Sequence, residues 1–208
     1  SKLLRNQIKL IAIQQASRAV QWQPIKWTKK IHLPEFYCFG DFEKKLYFKK
    51  KAQVKLLEPK GSLKAACALS YIKKNKIKIK NNFDICFISE INIGERKYYK
   101  NQNNLWNRDQ NSVRDMDHMP EYNKGQSKLA KYLFKFSKKY NLKVVIAGKG
   151  EAGSDYRRKE IEWFKNNLNG QKFDLRARND NTLSNYQLML QSKIIVALRA
   201  SLAREAIG

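Results

Sequence analysis

Histidine, cysteine and acidic residues are scarce in this chain, and each shortage removes a class of function. The two histidines, His32 and His118, and the three cysteines, Cys38, Cys67 and Cys86, are too few and too scattered for a zinc motif. The cysteines are odd in number, lack CxxC spacing and lie in or near apolar stretches, so buried reduced thiols are expected rather than a disulfide framework. No metal site is expected. Long hydrophobic runs are missing too: none approaches the ~18 residues of a membrane span, and residues 1–10 carry no signal-peptide apolar region. A soluble protein on the cytoplasmic side, at most at the inner face of a membrane, is the expectation.

What the chain does have is core-forming material and positive charge. Of its 208 residues 42% are hydrophobic and 12% aromatic, enough for one large or two small packed domains and too much for a disordered polycation. Lysine and arginine number 43 against 18 acids, for a net charge of +25. Nucleic-acid binding is the obvious explanation of such a charge. Lysine outnumbers arginine about three to one, however, and arginine is the preferred reader of base edges and planar phosphate geometry. The charge is also spread over Lys49 to Lys51, Lys73 to Lys80, Lys138 with Lys139, and Arg157 to Lys159, with no single tail. That distribution fits solvated faces and attraction to an anionic ligand or membrane surface better than specific nucleic-acid recognition.

Hydrophobic runs alternate with breakers in a strand-then-helix rhythm. Lys9 to Gln14, Phe36 to Phe39 and Val54 to Leu57 read as strands, with helical stretches over Phe42 to Lys51 and Leu63 to Ile72. Residues 73–82 (KKNKIKIKNN) are dense in charge and amide and mark a linker, although Ile77 and Ile79 alternate with lysine as in a short exposed strand. The rhythm then restarts: Phe83 to Ser89 is a strand, Gln126 to Tyr140 an amphipathic helix, and Asn141 to Gly150 a strand running into a glycine turn. Ser154 to Leu168, with Ile161, Phe164 and Leu168 on one face, is the next helix. A short strand at Phe173 to Leu175, a helix over Leu183 to Gln191 and a terminal strand complete four βα steps in residues 83–208. The expected architecture is α/β with doubly wound parallel sheets: residues 1–72 as one domain, 73–82 as linker and 83–208 as a second.

The segment from Glu90 to about Glu121 is long for a connection in a compact domain, which points to a functional or a disordered loop. It holds Arg96, Trp106, Arg108, Arg114, Asp115, Asp117, His118 and Glu121, and follows its strand at the carboxyl end, the edge where ligands bind in open α/β sheets. The terminal segment Ser192 to Gly208 is the most specific. Ile194 to Leu198 is an unbroken apolar run that suits a strand covered on both faces, and Arg199 and Ser201 fall where the next helix begins. Ser201 as a simple cap is the alternative, but Glu205 stands four residues on, whereas a capping box needs Glu or Gln three residues on.

The succession of strand, GxG turn (Gly148, Lys149, Gly150), helices, SKIIVAL strand and ASLAREA helix start resembles the C-terminal half of a GT-B glycosyltransferase. The segments IAIQ (Ile11 to Gln14), EFYCFGDFEKKLY (Glu35 to Tyr47), PKGSLKA (Pro59 to Ala65) and FDICFISE (Phe83 to Glu90) are similar to bacterial surface-carbohydrate biosynthesis proteins of capsule or lipopolysaccharide type, over most of the chain. The resemblance implies two Rossmann-like domains, the N-terminal one incomplete and the C-terminal one a truncated nucleotide-sugar-binding domain, and so a fragment of a longer transferase. It implies transfer of a sugar from a nucleotide-sugar, with no metal or other cofactor, to a polysaccharide or lipid-linked acceptor. By the same resemblance Ser201 and the helix start would hold the donor diphosphate and Glu205 the ribose hydroxyls. Gly148, Lys149 and Gly150 would approach the nucleotide, and Arg199 would add charge. Ala200 and Ala203 replace the serine and glycine of the family pattern. No catalytic base is assigned; Asp117, His118 and Glu121 are candidates by location. The alternatives are a basic nucleic-acid-binding protein and a non-catalytic transferase remnant.

Overall fold

The computed structural model describes residues 11–14, 32–49, 51–92, 119–198 and 200–205. The chain is α/β, all its described strands are parallel, and it divides into two compact units, Ser1–Ile77 with Ser201–Gly208, and Lys78–Ala200.

In the first unit β1 (Ile11–Ile13), β2 (His32–Cys38) and β3 (Gln53–Pro59) form a sheet in that order. Helix α1 (Asp41–Lys49) links β2 to β3, and α2 (Leu63–Lys74) follows β3. Asp41 and Glu43 lie in the first turn of α1 and Lys49 in its last, the polarity that the helix dipole favours. Among the described residues Phe36, Cys38, Tyr47 and Leu57 form one core cluster here, with Phe36 and Tyr47 edge-to-face at 4.9 Å, and Ala68 and Ile72 are buried on α2. Ser62 caps α2 by accepting the Ala65 N–H at 3.2 Å. Where a linker is expected, α2 runs on to Lys74, and its end is turned by Lys76 in a left-handed conformation; residues 77–82 form no strand.

The second unit contains β4 (Phe83–Ile88), α3 (Met119–Tyr140), β5 (Val144–Glu151), α4 (Asp155–Asn167), β6 (Asp174–Arg178), α5 (Ser184–Leu190) and β7 (Ser192–Val196), in the sheet order β6-β5-β4-β7. The connections β4 to β5 and β5 to β6 step one way and β6 to β7 steps back. Right-handed crossovers therefore put α3 and α4 on one face and α5 on the other. Residue parity agrees: Ile85, Phe87 and Ile146 join Ala130, Leu133, Phe134, Phe164 and Leu168 in the larger core, while Cys86, Ile88, Val145 and Ala147 are buried on the α5 side.

Three local expectations are corrected. The Gly148-Lys149-Gly150 sequence is not a turn but part of β5, which carries a register irregularity against β6 between Ala147 and Glu151; the turn comes later, at Gly153 with φ of 77°. The terminal strand is not covered on both faces. Among the described strands β7 lies at the edge, and Ile194, level with Ile85 on the α3 face, is 56% exposed, with no helix among the described residues covering it there. All three cysteines are free, but only Cys38 and Cys86 are buried; Cys67 is exposed on α2. Burial pushes the Cys86 thiol up to about 12.

Candidate functional site

The strand order fixes where a ligand would meet the second unit. β4 leads to a helix on one face and β7 is reached from a helix on the other, so the chain diverges at the carboxyl ends of these two neighbours. That divergence is the topological switch point of an open α/β sheet, where backbone leaves a crevice. Polar side chains lace its rim. The Glu90 carboxylate accepts the Leu198 N–H at 2.7 Å, tying the two strand exits together. Asn92 and Asn123 exchange two hydrogen bonds, Asn92 N–H to Asn123 Oδ1 at 3.1 Å and Asn123 Nδ2 to the Asn92 carbonyl at 3.0 Å, which anchors the start of α3 beside β4.

One strand over, the end of β5 is organised by a carboxylate that sequence reasoning missed. Glu160 on α4 is 0% exposed and accepts from Ser89 Oγ at 2.6 Å, Lys149 N–H at 2.9 Å and Gly150 N–H at 3.2 Å, with the Arg157 guanidinium at 3.5 Å. A buried charge is tolerable only with such a set of donors. Arg157 is held in turn by donating to the Leu175 carbonyl. The two backbone N–H groups that a phosphate could have used at this edge are therefore occupied from within. A signal for Glu160 is present in the sequence: it falls four residues before Phe164 and eight before Leu168, in the buried row of its helix, where an apolar residue belongs.

The same network explains both glycines. A Cβ on Gly148 would stand 2.7 Å from the Arg176 carbonyl and 2.9 Å from both Arg157 Nη1 and a Glu160 oxygen. On Gly150 it would stand 2.7 Å from the Arg157 backbone. Close approach of α4 at Gly150, and of both the β6 backbone and α4 side chains at Gly148, demands glycine at these positions.

Lys149 between them projects differently. Its Nζ lies 3.4 Å from the Ile91 carbonyl and 5.7 Å from the Tyr156 ring centroid, and the Tyr156 hydroxyl donates to the same carbonyl. Burial holds the ammonium below the usual lysine range; the Glu160 and Glu90 carboxylates act against that shift and Arg178 adds to it. Two buried amides near this edge are incompletely satisfied. Asn185 donates to the Gly148 carbonyl at 2.9 Å while its Oδ1 has no partner, and both polar atoms of Gln126, one turn after Asn123 on α3, have none.

The remaining expected residues are placed elsewhere. Ser201 opens the short helix α6 (Ser201–Glu205), which belongs to the first unit, and Glu205 is buried there with the Ser62 hydroxyl donating to it at 3.4 Å. Gly148, Lys149 and Gly150 belong to the second unit, so the expected donor residues are divided between the two. Arg199, Asp117 and His118 lie outside the described residues, as does the loop over 93–118; Glu121 is in the first turn of α3, which begins seven residues before the expected Gln126. Among the described residues no cluster of His, Cys, Asp and Glu could hold a metal ion, and no helix is long and apolar enough to cross a membrane. A cavity of about 610 Å3 lies at the opposite, amino edge of β5 and β6, between Phe134, Lys138, Asn141, Phe173 and Asp174. No family model matches the chain, and comparisons with curated proteins and with solved structures find no match.

Proposed function

We propose that the chain binds a nucleotide-sugar at the carboxyl edge of its second sheet and serves glycosyl transfer in bacterial surface-carbohydrate assembly, as part of a GT-B enzyme. The observation that carries this reading is the β6-β5-β4-β7 order, whose switch point lies at the exits of β4 and β7, with the Lys149 ammonium at the end of the adjacent strand. A diphosphate is the ligand chemistry that this cation suits. In the transfer the acceptor oxygen attacks the anomeric carbon, the bond from that carbon to the diphosphate oxygen breaks, and the acceptor proton leaves to a base. Lys149 would stabilise the charge that develops on the departing diphosphate, a contribution that grows as the site excludes water. Because Glu160 consumes the Lys149 and Gly150 N–H groups, phosphate contact at β5 falls to the lysine side chain rather than to backbone. The Gln126 amide and the free Oδ1 of Asn185 are further polar groups for a bound ligand at this edge.

Titration calorimetry of the full chain with UDP, GDP, CDP and CMP tests the reading. One nucleoside diphosphate is expected to bind, and Lys149→Met to weaken it by ~10-fold or more, as loss of a charge-assisted phosphate contact should. Failure of every nucleotide to bind, or binding indifferent to Lys149→Met, overturns it. Glu205→Ala in the same assay tells whether the buried carboxylate of the first unit contributes.

A further inference from the structure

Helix α3 packs one side into the core and leaves on its other side a composition that no packing requirement explains. Asn123, Gln126, Ala130, Leu133, Phe134 and Ser137 follow the 3.6-residue period of its inner row, and the last five are buried. Outside that row, Tyr132, Phe136 and Tyr140 stand four residues apart and are 69%, 38% and 53% exposed. Their rings contact one another in sequence, Tyr132 stacked on Phe136 at 6.2 Å and Phe136 tilted against Tyr140 at 4.6 Å, so they form one continuous aromatic stripe along ~12 Å of helix. Beside it runs a second stripe of Lys124, Lys128, Lys131, Lys135 and Lys139, the last with its ammonium 5.2 Å from the Tyr140 ring centroid. From Asn123 to Tyr140 the helix carries six lysines and no acid, and none of the six has an ion-pair partner among the described residues.

We infer that this face of α3 is a docking surface for the headgroup region of a bilayer rich in anionic lipid. Charge complementarity selects the occupant: an uncompensated lysine row needs an extended anionic surface, and lysine stems let the charge reach outward while the helix lies flat. The aromatics select it further. Tyrosine combines an apolar ring with a polar tip that suits the membrane interface, and an apolar row parallel to a basic one is the pattern of a helix lying in the interface plane. A nucleic acid would instead call for rings free to stack singly on bases; here each ring lies against its neighbour, and arginine is absent from the helix.

Co-sedimentation of the full chain with vesicles of neutral phosphatidylcholine, with and without about one-third phosphatidylserine, tests the inference. Binding is expected only with the anionic lipid and is expected to fall as salt shortens the Debye length. The triple variant Tyr132→Ser, Phe136→Ser, Tyr140→Ser and, separately, Lys131→Glu with Lys135→Glu should each lower the partition coefficient about 10-fold. Reversing two lysines in the exposed stretch 76–80, Lys76→Glu with Lys80→Glu, is the control for bulk charge and should lower it less than 3-fold. Equal loss in the control, equal binding to neutral vesicles, or tighter binding to a single-stranded oligonucleotide through the same residues overturns the inference. So does a dimer in sedimentation velocity that the Ser variant abolishes. Circular dichroism checks that both variants keep the helix, which their exposed positions predict. Nucleotide affinity should be unchanged in both, which separates this surface from the site at Lys149.

Discussion

The two units share a parallel βα plan but differ in how much buried apolar core their described residues form. The second has layers of apolar side chains on both faces of β4 and β5, a core of nine buried residues on the α3 and α4 side alone, and a fully hydrogen-bonded buried carboxylate linking strand ends to a helix. Among its described residues the first has three strands and a cluster of four buried residues, and Phe42, Phe48, Leu63 and Leu69 are exposed on its helices. Apolar runs make both sheets; what separates them, among the described residues, is how much of each face is covered. Polar groups follow that difference. In the second unit Glu160 is deeply enclosed and organises the end of a strand, whereas in the first the comparable buried carboxylate, Glu205, meets a helix cap.

Substitutions that act on one unit and spare the other test this inequality, read by hydrogen exchange resolved to each unit because a two-unit chain does not unfold as one transition. Glu160→Ala should have the largest effect, a loss of about 3–5 kcal/mol confined to the second unit, since it strands Arg157 and three further donors in a dry interior. Exchange unchanged in β4 and β5 would break the claim that this network sets their stability. Gly150→Ala should cost ~1–3 kcal/mol in the same unit by forcing α4 away from β5, with the cap bond of Ser154 loosened as well. A matched pair comes next: Ser62→Ala in the first unit and Ser154→Ala in the second each remove one N-cap acceptor and should cost roughly 1 kcal/mol. The Ser62 change should weigh more on its own unit, because the same hydroxyl serves Glu205.

The smallest effect is a pH dependence. The Lys149 ammonium is held below the ordinary lysine value, so the folded second unit carries an unfavourable charge at neutral pH and sheds it before the unfolded chain does. Between the folded value and the ordinary one near 10.4 the unfolded state binds more protons, and stability of that unit should rise with pH. Lys149→Met should abolish the rise. At the acid end stability again rises with pH, but here the shift stabilises the fold at neutral pH instead of costing it. Hydrogen bonds from Lys193 and the Lys143 N–H hold Asp84 below the usual carboxylate value, so the stability it contributes is present above about pH 3.9 and is lost as pH falls through the lower folded value.

Much of the fold could be read along the chain because period and punctuation were strong. The strand at Phe83, the helix ending at Tyr140, and the helix capped by Ser154 are local statements, and the structure repeats them within a few residues. The errors lie where a residue's meaning depends on a distant partner. The GKG sequence reads as a turn, but Glu160 takes its N–H groups and β6 and α4 take the space of its missing side chains, so it remains strand. Ile194 to Leu198 reads as enclosed, but strand order leaves β7 at an edge. Glu205 takes its hydrogen-bond partner, Ser62, from 143 residues away, a pairing that no local pattern announces.

The sequence by itself determined the α/β class, most of the helices and strands, the scarcity of metal-ligating side chains and the surplus of lysine, because each of these depends on composition or on neighbours a few residues apart. Only the tertiary structure decided which strands are neighbours, and with that where the switch point lies, why Gly148 and Gly150 must be glycine, and which carboxylate is buried. The physical reason is that burial and hydrogen-bond satisfaction are properties of packed surfaces: Ser89, Gly150 and Glu160 lie up to 71 residues apart in the chain and become one network only when β4, β5 and α4 close together.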